Sequence, residues 1–567
     1  LKKNIMKTCM AVCLSVGLIG TAGVPQAKVI AEDTNTAQSK NLIVFIGDGM
    51  GPAQVTAARI YAQEMLEMDE LNMDDYYVGQ AMTQADRSSR ESGLVTDSAS
   101  SATAFGTGNK TYNGAISVSN EDIAKPFASV IEAAEMKGKA TGIISTARIT
   151  HATPASYASH VRSRGNENAI AMQYLTSGVD VIFGGGKRQF ITEDEGGKRK
   201  DKNLISDFEQ AGYTFIEDKD QLMQLKEEEQ VLGLFSNSHI PYVLDRDESV
   251  PTLAEMTQQA INILSQDEDG FVMMIEAGRI DHAGHANDLP SVVQETLEFD
   301  AAVKAGIEFA MKDGNTSVVV TADHETGGLS LSRDNIYELN VDNWDDQMKS
   351  SSYIGSLLRD AETLEDVREI VSTYTWITDL SDEEAQLILD GDGTSYQREG
   401  GFNAVVSKRL LVGWAGHGHS AVDVGVWAYG PIASHVKGTI ENTVIATAGA
   451  EIAGLDLAAA TDELRKHYVF PKFKMTQDEI LFPAKAMAEA LGAKVNWDES
   501  ARTVMMMSDS NTVSVNVDSQ SLMLNNATSD MTVDLDQGTL YLPLDAFTSL
   551  TTMTLEWDAL SERVMMK

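Results

Sequence analysis

Gly270-Phe271-Val272-Met273-Met274-Ile275-Glu276-Ala277-Gly278-Arg279-Ile280-Asp281-His282-Ala283-Gly284-His285 joins an unbroken apolar run to a segment crowded with carboxylates and imidazoles. An apolar run without polar alternation predicts a strand buried on both faces, the kind parallel sheets use. The residues after it place Glu276, Asp281, His282 and His285 within ten positions. Hard cations take carboxylate oxygen and zinc takes imidazole with carboxylate, so a loop of this content leaving a buried strand predicts a metal site. Acidic turns with histidine also occur on ordinary surfaces, so the rest of the chain has to decide.

Outward from this stretch, short apolar runs recur at 42–46, 140–145, 179–183 and 317–321. Amphipathic segments at 126–137, 166–177, 251–265 and 289–311 lie between them and predict helices. The class is α/β, a doubly wound, mostly parallel sheet flanked by helices. Ligands of such sheets bind beyond the carboxyl ends of the strands. Asp48, Glu276 and the pair Asp323-His324 each follow an apolar run, which predicts one shared site.

The 567 residues exceed a single small core and suggest a large catalytic domain with an appendage. Lys2, Lys3 and Lys7 precede an apolar run over 10–24, with Ala22, Ala27 and Ala31 as small residues for cleavage, so residues 1–31 read as a secretory signal. No later stretch has the length of a membrane span. Both cysteines, Cys9 and Cys13, fall in the signal, leaving no disulfide in the mature chain, which is expected to be exported or held at the cell surface. A formal charge of −40 with a pI near 4.5 repels nucleic acid and anionic membrane and keeps an exported protein soluble.

Residues 334–399 are acidic, helix-prone and poor in candidate ligands, and read as an insertion. Its Asp390-Gly-Asp-Gly segment lacks the rest of a calcium-loop spacing and reads as a solvated turn. Beyond 470 the composition shifts, and a repeat with a period of 60 residues emerges: Leu481-Phe-Pro, Trp497-Asp498 and Val504-Met-Met against Leu542-Pro-Leu, Trp557-Asp558 and Val564-Met-Met. That predicts a small α+β domain over 471–567 built from two repeats, its methionines packing a core rather than binding copper.

Asp97-Ser98-Ala-Ser-Ser-Ala puts a hydroxyl at the start of a small-residue helix, where free N–H groups welcome a phosphate; Asp97 or Ser98 as a plain N-cap is the alternative. Together, Asp48-Gly-Met-Gly, Asp97-Ser98-Ala-Ser, Thr150-His151-Ala-Thr153-Pro154, Glu276 with Asp281 and His285, Thr321-Ala-Asp323-His324-Glu-Thr-Gly-Gly, and His419 before Ala428-Tyr-Gly-Pro431 resemble the alkaline phosphatase family in order and spacing. The catalytic domain is expected over 38–470.

The resemblance implies that Asp281, His285 and His419 hold one zinc, that Asp48, Asp323 and His324 hold a second beside Ser98, and that Asp48, Thr153 and Glu276 hold magnesium. It implies a phosphoserine at Ser98, phosphate gripped by Arg164, small phosphomonoesters as substrates, and a homodimer. His151 and His282 stand where the most studied bacterial pattern has aspartate and lysine, and resemble vertebrate and some other bacterial forms; they are expected just outside the metal ligands. His417 lies two residues before His419 and competes for its role, the spacing to Pro431 favouring His419. His160, His239, His435 and His467 read as structural or surface residues.

The tail resembles the copper-amine-oxidase N-terminal-like domain through Ala488-Glu-Ala-Leu-Gly-Ala-Lys-Val-Asn-Trp497-Asp, which implies no copper and raises attachment to a cell-surface partner as its role. The competing readings are a phosphodiesterase or other metal hydrolase of the same superfamily, and a non-catalytic surface binder of metal or phosphate. Against a sulfatase, the Ser98 run lacks that nucleophile motif's proline and arginine.

Overall fold

A computed structural model describes residues 38–88, 93–226, 230–477 and 479–567. The signal segment over 1–31 and both cysteines lie outside the described residues.

A ten-stranded sheet organises the catalytic part. Its strands run across the sheet as Gly438–Glu441, Tyr77–Met82, Val424–Tyr429, Thr316–Ala322, Asn41–Gly47, Phe271–Ala277, Ala140–Arg148, Val181–Gly185, Val231–Leu234 and Thr214–Ile216. The predicted apolar runs all fall on strands, the one at 179–183 starting two residues ahead of Val181–Gly185, and the strands at 41–47, 271–277 and 316–322 are buried at every position, as helices on both faces require. Only Val424–Tyr429 pairs antiparallel, with both its neighbours, so the sheet is mostly parallel.

Register sets up the site. Gly47 of the central strand lies opposite Ala277 on one side and Ala322 on the other, so Asp48, Glu276 and Asp323 emerge at one level. The flanking Leu289–Asp313 helix starts with Asp288 accepting from the Ser291 N–H and stops at Gly314, whose φ of +75° carries the chain into the left-handed region. It packs Phe299 edge-on to Phe45 of the central strand, with ring centroids 6.1 Å apart.

The insertion is helical, with Ser351–Leu358, Leu364–Tyr374 and Asp382–Asp390, and the bundle continues past 399 through Arg398–Arg409. Trp344, Ile354, Val371, Ile388 and Phe402 form its core and merge with Tyr61, Leu289 and Val293 of the catalytic helices.

The C-terminal part is dominated by strands and is less helical than the α+β expectation. An α-helix forms at Ala484–Ala490, but the segment 60 residues later, Leu544–Leu550, winds as a 3-10 helix. Ala-Lys-Ala-Met-Ala-Glu-Ala is rich in strong helix formers, whereas Leu-Asp-Ala-Phe-Thr-Ser-Leu contains Phe547, Thr548 and Ser549. A five-stranded antiparallel meander covers 494–529. Met506 and Met566 are buried among Phe482, Val515 and Leu542, so the methionines do pack a core. The short Ile123–Ala124 strand of the catalytic part pairs with Tyr468–Pro471, which pairs in turn with Arg563–Met566 near the chain's end.

Candidate functional site

The segment read as a loop after Ile275 is the end of a strand followed by a helix: Glu276 is still in Phe271–Ala277, and Arg279–Ala286 is helical. Asp281 and His285 are therefore an i, i+4 pair on one helix face, with His285 Nε2 3.2 Å from Asp281 Oδ1. His419 arrives on a two-stranded ribbon, paired with Thr326, and its Nε2 lies 3.1 Å from His285 Nε2 and 3.6 Å from Asp281 Oδ1. Beside this group, His324 Nε2 lies 3.2 Å from Asp323 Oδ2 and 3.5 Å from Asp48 Oδ1, all three residues fully buried. The His324 and His419 rings stack at 3.5 Å and link the two groups.

A third group lies on the other side of Asp48. Asp48 and Glu276 come together with His151, with one nitrogen or oxygen of each within 4.8 Å of the others. Thr153 is fully buried, two residues along the same helical turn.

Neighbouring groups choose the tautomer of each clustered histidine. His285 Nδ1 faces the His417 carbonyl, His419 Nδ1 lies 2.8 Å from the Thr96 carbonyl, and His324 Nδ1 lies 3.2 Å from Thr326 Oγ1, which donates to Asp281 Oδ1 at 2.6 Å. Carbonyls only accept, and the Thr326 proton is already committed, so each ring keeps a proton on Nδ1 and turns Nε2 toward the cluster. The carboxylates are held similarly. Asp323 Oδ1 accepts from the Gly49 and His324 N–H groups, and Ser145 Oγ donates to Glu276 Oε2.

The opposite atoms are bare. Both Asp48 oxygens, Asp323 Oδ2, Glu276 Oε1 and Thr153 Oγ1 are buried with no hydrogen-bond partner among the described residues. Such oxygens are costly unless cations satisfy them, so this donor set of carboxylate, imidazole and hydroxyl fits divalent metal ions.

In the metal-free protein, burial pushes Asp48 well above the usual carboxylate range, with Asp323 adding to it. Burial likewise brings Glu276 to about 7 and Asp323 to about 6. Burial also acts on Asp281 and His285, but their mutual attraction outweighs it, holding the carboxyl low and taking the imidazole up to about 9. Burial keeps His151, His282 and His324 neutral.

Ser98 is the first residue of the buried Ser98–Thr107 helix, and its Oγ lies 3.3 Å from His324 Nε2. Asp97 is the N-cap, accepting from the Ser100 N–H, so capping and the placement of Ser98 are two results of one turn. Arg164 donates to Asp97 Oδ2 at 3.0 Å and its other terminal nitrogen lies 3.0 Å from His151 Nε2. Since arginine only donates, His151 accepts there and carries its proton on Nδ1, which is buried and unpartnered.

Two further histidines lie close to the site. His239 packs 4.2 Å from the His282 ring and 5.6 Å from that of His151, forming a third imidazole wall beside Arg148. It comes from an irregular segment after Val231–Leu234, and nothing local in the sequence marks it. His417 is not in the cluster; it contacts Asp392 of the insertion, whose turn is thereby more than solvated surface. His160 is structural as expected, buried between the Ser117 carbonyl and Glu132.

The alkaline phosphatase family model matches residues 39–455, and the copper amine oxidase N-terminal domain model matches 465–566. Alkaline phosphatase 3 of Bacillus subtilis (strain 168) is 37% identical over 457 residues, covering 78% of this chain and 96% of that protein. The crystal structure of the cold-active alkaline phosphatase from Shewanella sp. superposes with a TM-score of 0.65 at 35% identity, covering 73% of this chain and 99% of that one. The enzyme from the Antarctic bacterium TAB5, in a His-to-Asp mutant with magnesium bound at its M3 site, superposes at 0.53 with 29% identity, covering 74% and 99%. With the family model matching most of its length and a cluster suited to metals at its strand ends, the chain belongs to the alkaline phosphatase family.

Proposed function

We propose that this chain hydrolyses phosphomonoesters through a phosphoserine at Ser98, with two zinc ions and one magnesium ion resident at the site. The observation that carries the reading is Ser98 at a helix start, 3.3 Å from His324, among carboxylate oxygens left bare in a buried site. Asp281, His285 and His419 would hold one zinc, Asp48, Asp323 and His324 the other, and Asp48, Glu276 and Thr153 the magnesium, with His151 alongside. When bound, the ions offset the carboxylate charge and polarise phosphate oxygen as Lewis acids.

The chain's own residues supply the rest. The free N–H groups of the Ser98–Thr107 helix and the Arg164 fork orient a dianionic phosphate over Ser98 Oγ. Ser98 Oγ forms a bond to phosphorus as the bond to the departing alcohol breaks, its proton passing through solvent to balance that taken up by the alcohol. Water then attacks phosphorus from the vacated side and restores Ser98, so two in-line displacements retain configuration. The lysine-bearing, apolar start of the chain supports export. Among the described residues, no single helix is long and apolar enough to cross a membrane.

The test is hydrolysis of a chromogenic phosphomonoester from pH 7 to 11 by metal-stripped protein given zinc, magnesium, both or neither, beside Ser98→Ala and a diester. Zinc-dependent monoester turnover that falls by roughly 10³-fold or more in Ser98→Ala is expected. Absence of turnover under every condition would favour a binding protein, and preference for the diester would favour a phosphodiesterase.

A further inference from the structure

His285 and His417 are clasped to each other in a way the zinc set alone does not require. His285 Nδ1 donates to the His417 carbonyl, and His417 Nδ1 lies 2.6 Å from the His285 carbonyl, so each imidazole holds the other residue's backbone. His417 is itself fixed from the insertion. Its Nε2 lies 3.3 Å from Asp392 Oδ2, and its ring stacks on Tyr396 at 4.8 Å with 21° between planes.

Asp392 is not a swinging surface carboxylate. Its oxygens accept from the Thr394 N–H at 2.9 Å and from Thr394 Oγ1 at 2.7 Å, and its own N–H donates to the Gln397 carbonyl. The turn around it is held at some cost, since Gln397 is at φ +50° and ψ −116°, a conformation L-residues rarely adopt. A side chain at Gly400 would sit 1.9 Å from Asp392 Oδ2, so the following helix is built to let that carboxylate in. A structure that constrains one acidic side chain so closely, and aims it at the back of a histidine clasping a candidate ligand, has a positioning arrangement.

We propose that Asp392 and His417 are positioning residues through which the helical insertion holds His285 in its ligating orientation. The inference rests on the reading of His285 as a metal ligand. Asp392 fixes the His417 ring, the His417 ring holds the His285 carbonyl while the His417 carbonyl accepts the hydrogen bond from His285 Nδ1–H, and His285 Nε2 is left facing Asp281 and His419. The insertion thus contributes to metal retention without supplying a ligand, as outer-layer partners of metal-bound histidines do.

Asp392→Ala and His417→Phe test it, the second keeping a ring to stack on Tyr396 while removing both nitrogens. Metal-loaded wild type and variants are challenged with a chelator, and zinc release is followed with a chromogenic metal indicator; cobalt-substituted samples are compared by visible absorption. Both variants are expected to release one zinc equivalent roughly 10- to 100-fold faster, the second equivalent unchanged, with an altered cobalt spectrum and an unchanged Tm of the metal-free protein. Release at the wild-type rate, or faster release matched by a fall in metal-free Tm, overturns the proposal and leaves the phosphatase reading intact. Failure of wild type itself to retain zinc overturns both.

Discussion

At the residue scale, the character of the site turns on His151 and His282, which pack with ring centroids 5.5 Å apart. His151 is committed to Arg164 through Nε2 and presents a bare Nδ1–H, so it offers no acceptor oxygen to the waters of a neighbouring cation. His151→Asp restores such oxygens and adds a charge beside Asp48 and Glu276. It is expected to lower the magnesium concentration for half-maximal activation by about tenfold, measured by titrating magnesium into zinc-loaded protein. His282, kept neutral by burial, adds no permanent charge. His282→Lys is expected to tighten inhibition by inorganic phosphate several-fold and to slow turnover, because a fixed cation holds the product. Unchanged values in both variants would reject this account.

At the element scale, the turn before the Ser98–Thr107 helix does three things with one side chain. Asp97 caps Ser100, accepts from the Gly114 N–H, and steadies Arg164. Asparagine caps almost as well as aspartate but carries no charge for Arg164. Asp97→Asn is therefore expected to leave Tm nearly unchanged and to weaken phosphate inhibition by about 3- to 10-fold, since the arginine is no longer held in place. A large fall in Tm with unchanged phosphate inhibition would show the cap to be the dominant role. Asp281 and His285 make the complementary point: the spacing of four is in the sequence, but Gly278 and Gly284 favour a helix poorly, and the close approach of Gly284 to Thr326 supplies the packing that holds one there.

At the scale of the whole molecule, bare carboxylates make stability depend on metal and pH together. Glu276 titrates at about 7 in the metal-free fold against an ordinary 4.5, and His285 at about 9 against 6.5. Both raised groups stabilise the fold below their unfolded values and lose that contribution as pH rises through the folded ones. Below about 6.5 the buried neutral histidines oppose the trend, because the unfolded chain then binds their protons. The Tm of metal-stripped protein is expected to fall between pH 6.5 and 9, while metal-loaded protein stays nearly flat; calorimetry at several pH values checks this. Parallel slopes would mean that these groups are not metal-linked. The tail is a second matter of whole-molecule architecture. Ile123 of the catalytic part lies in the tail's core, and Arg162 donates to the Phe470 carbonyl at 2.9 Å. Ending the chain after 470 is expected to lower Tm by at least about 3 °C while zinc dependence persists; an unchanged Tm would mark the tail as an independent appendage.

Pattern alone is enough for the α/β class and for the strands that bear Asp48, Glu276 and Asp323-His324, because buried parallel strands are continuous apolar runs and their carboxyl ends are where ligands bind; the remaining ligands, such as Thr153 and His419, were implied by the family resemblance. That His239 stands beside His282, and that Asp392 reaches His417, follows only from the folded chain. Those relations join residues far apart in the chain through side-chain direction and register, and local pattern carries no record of either.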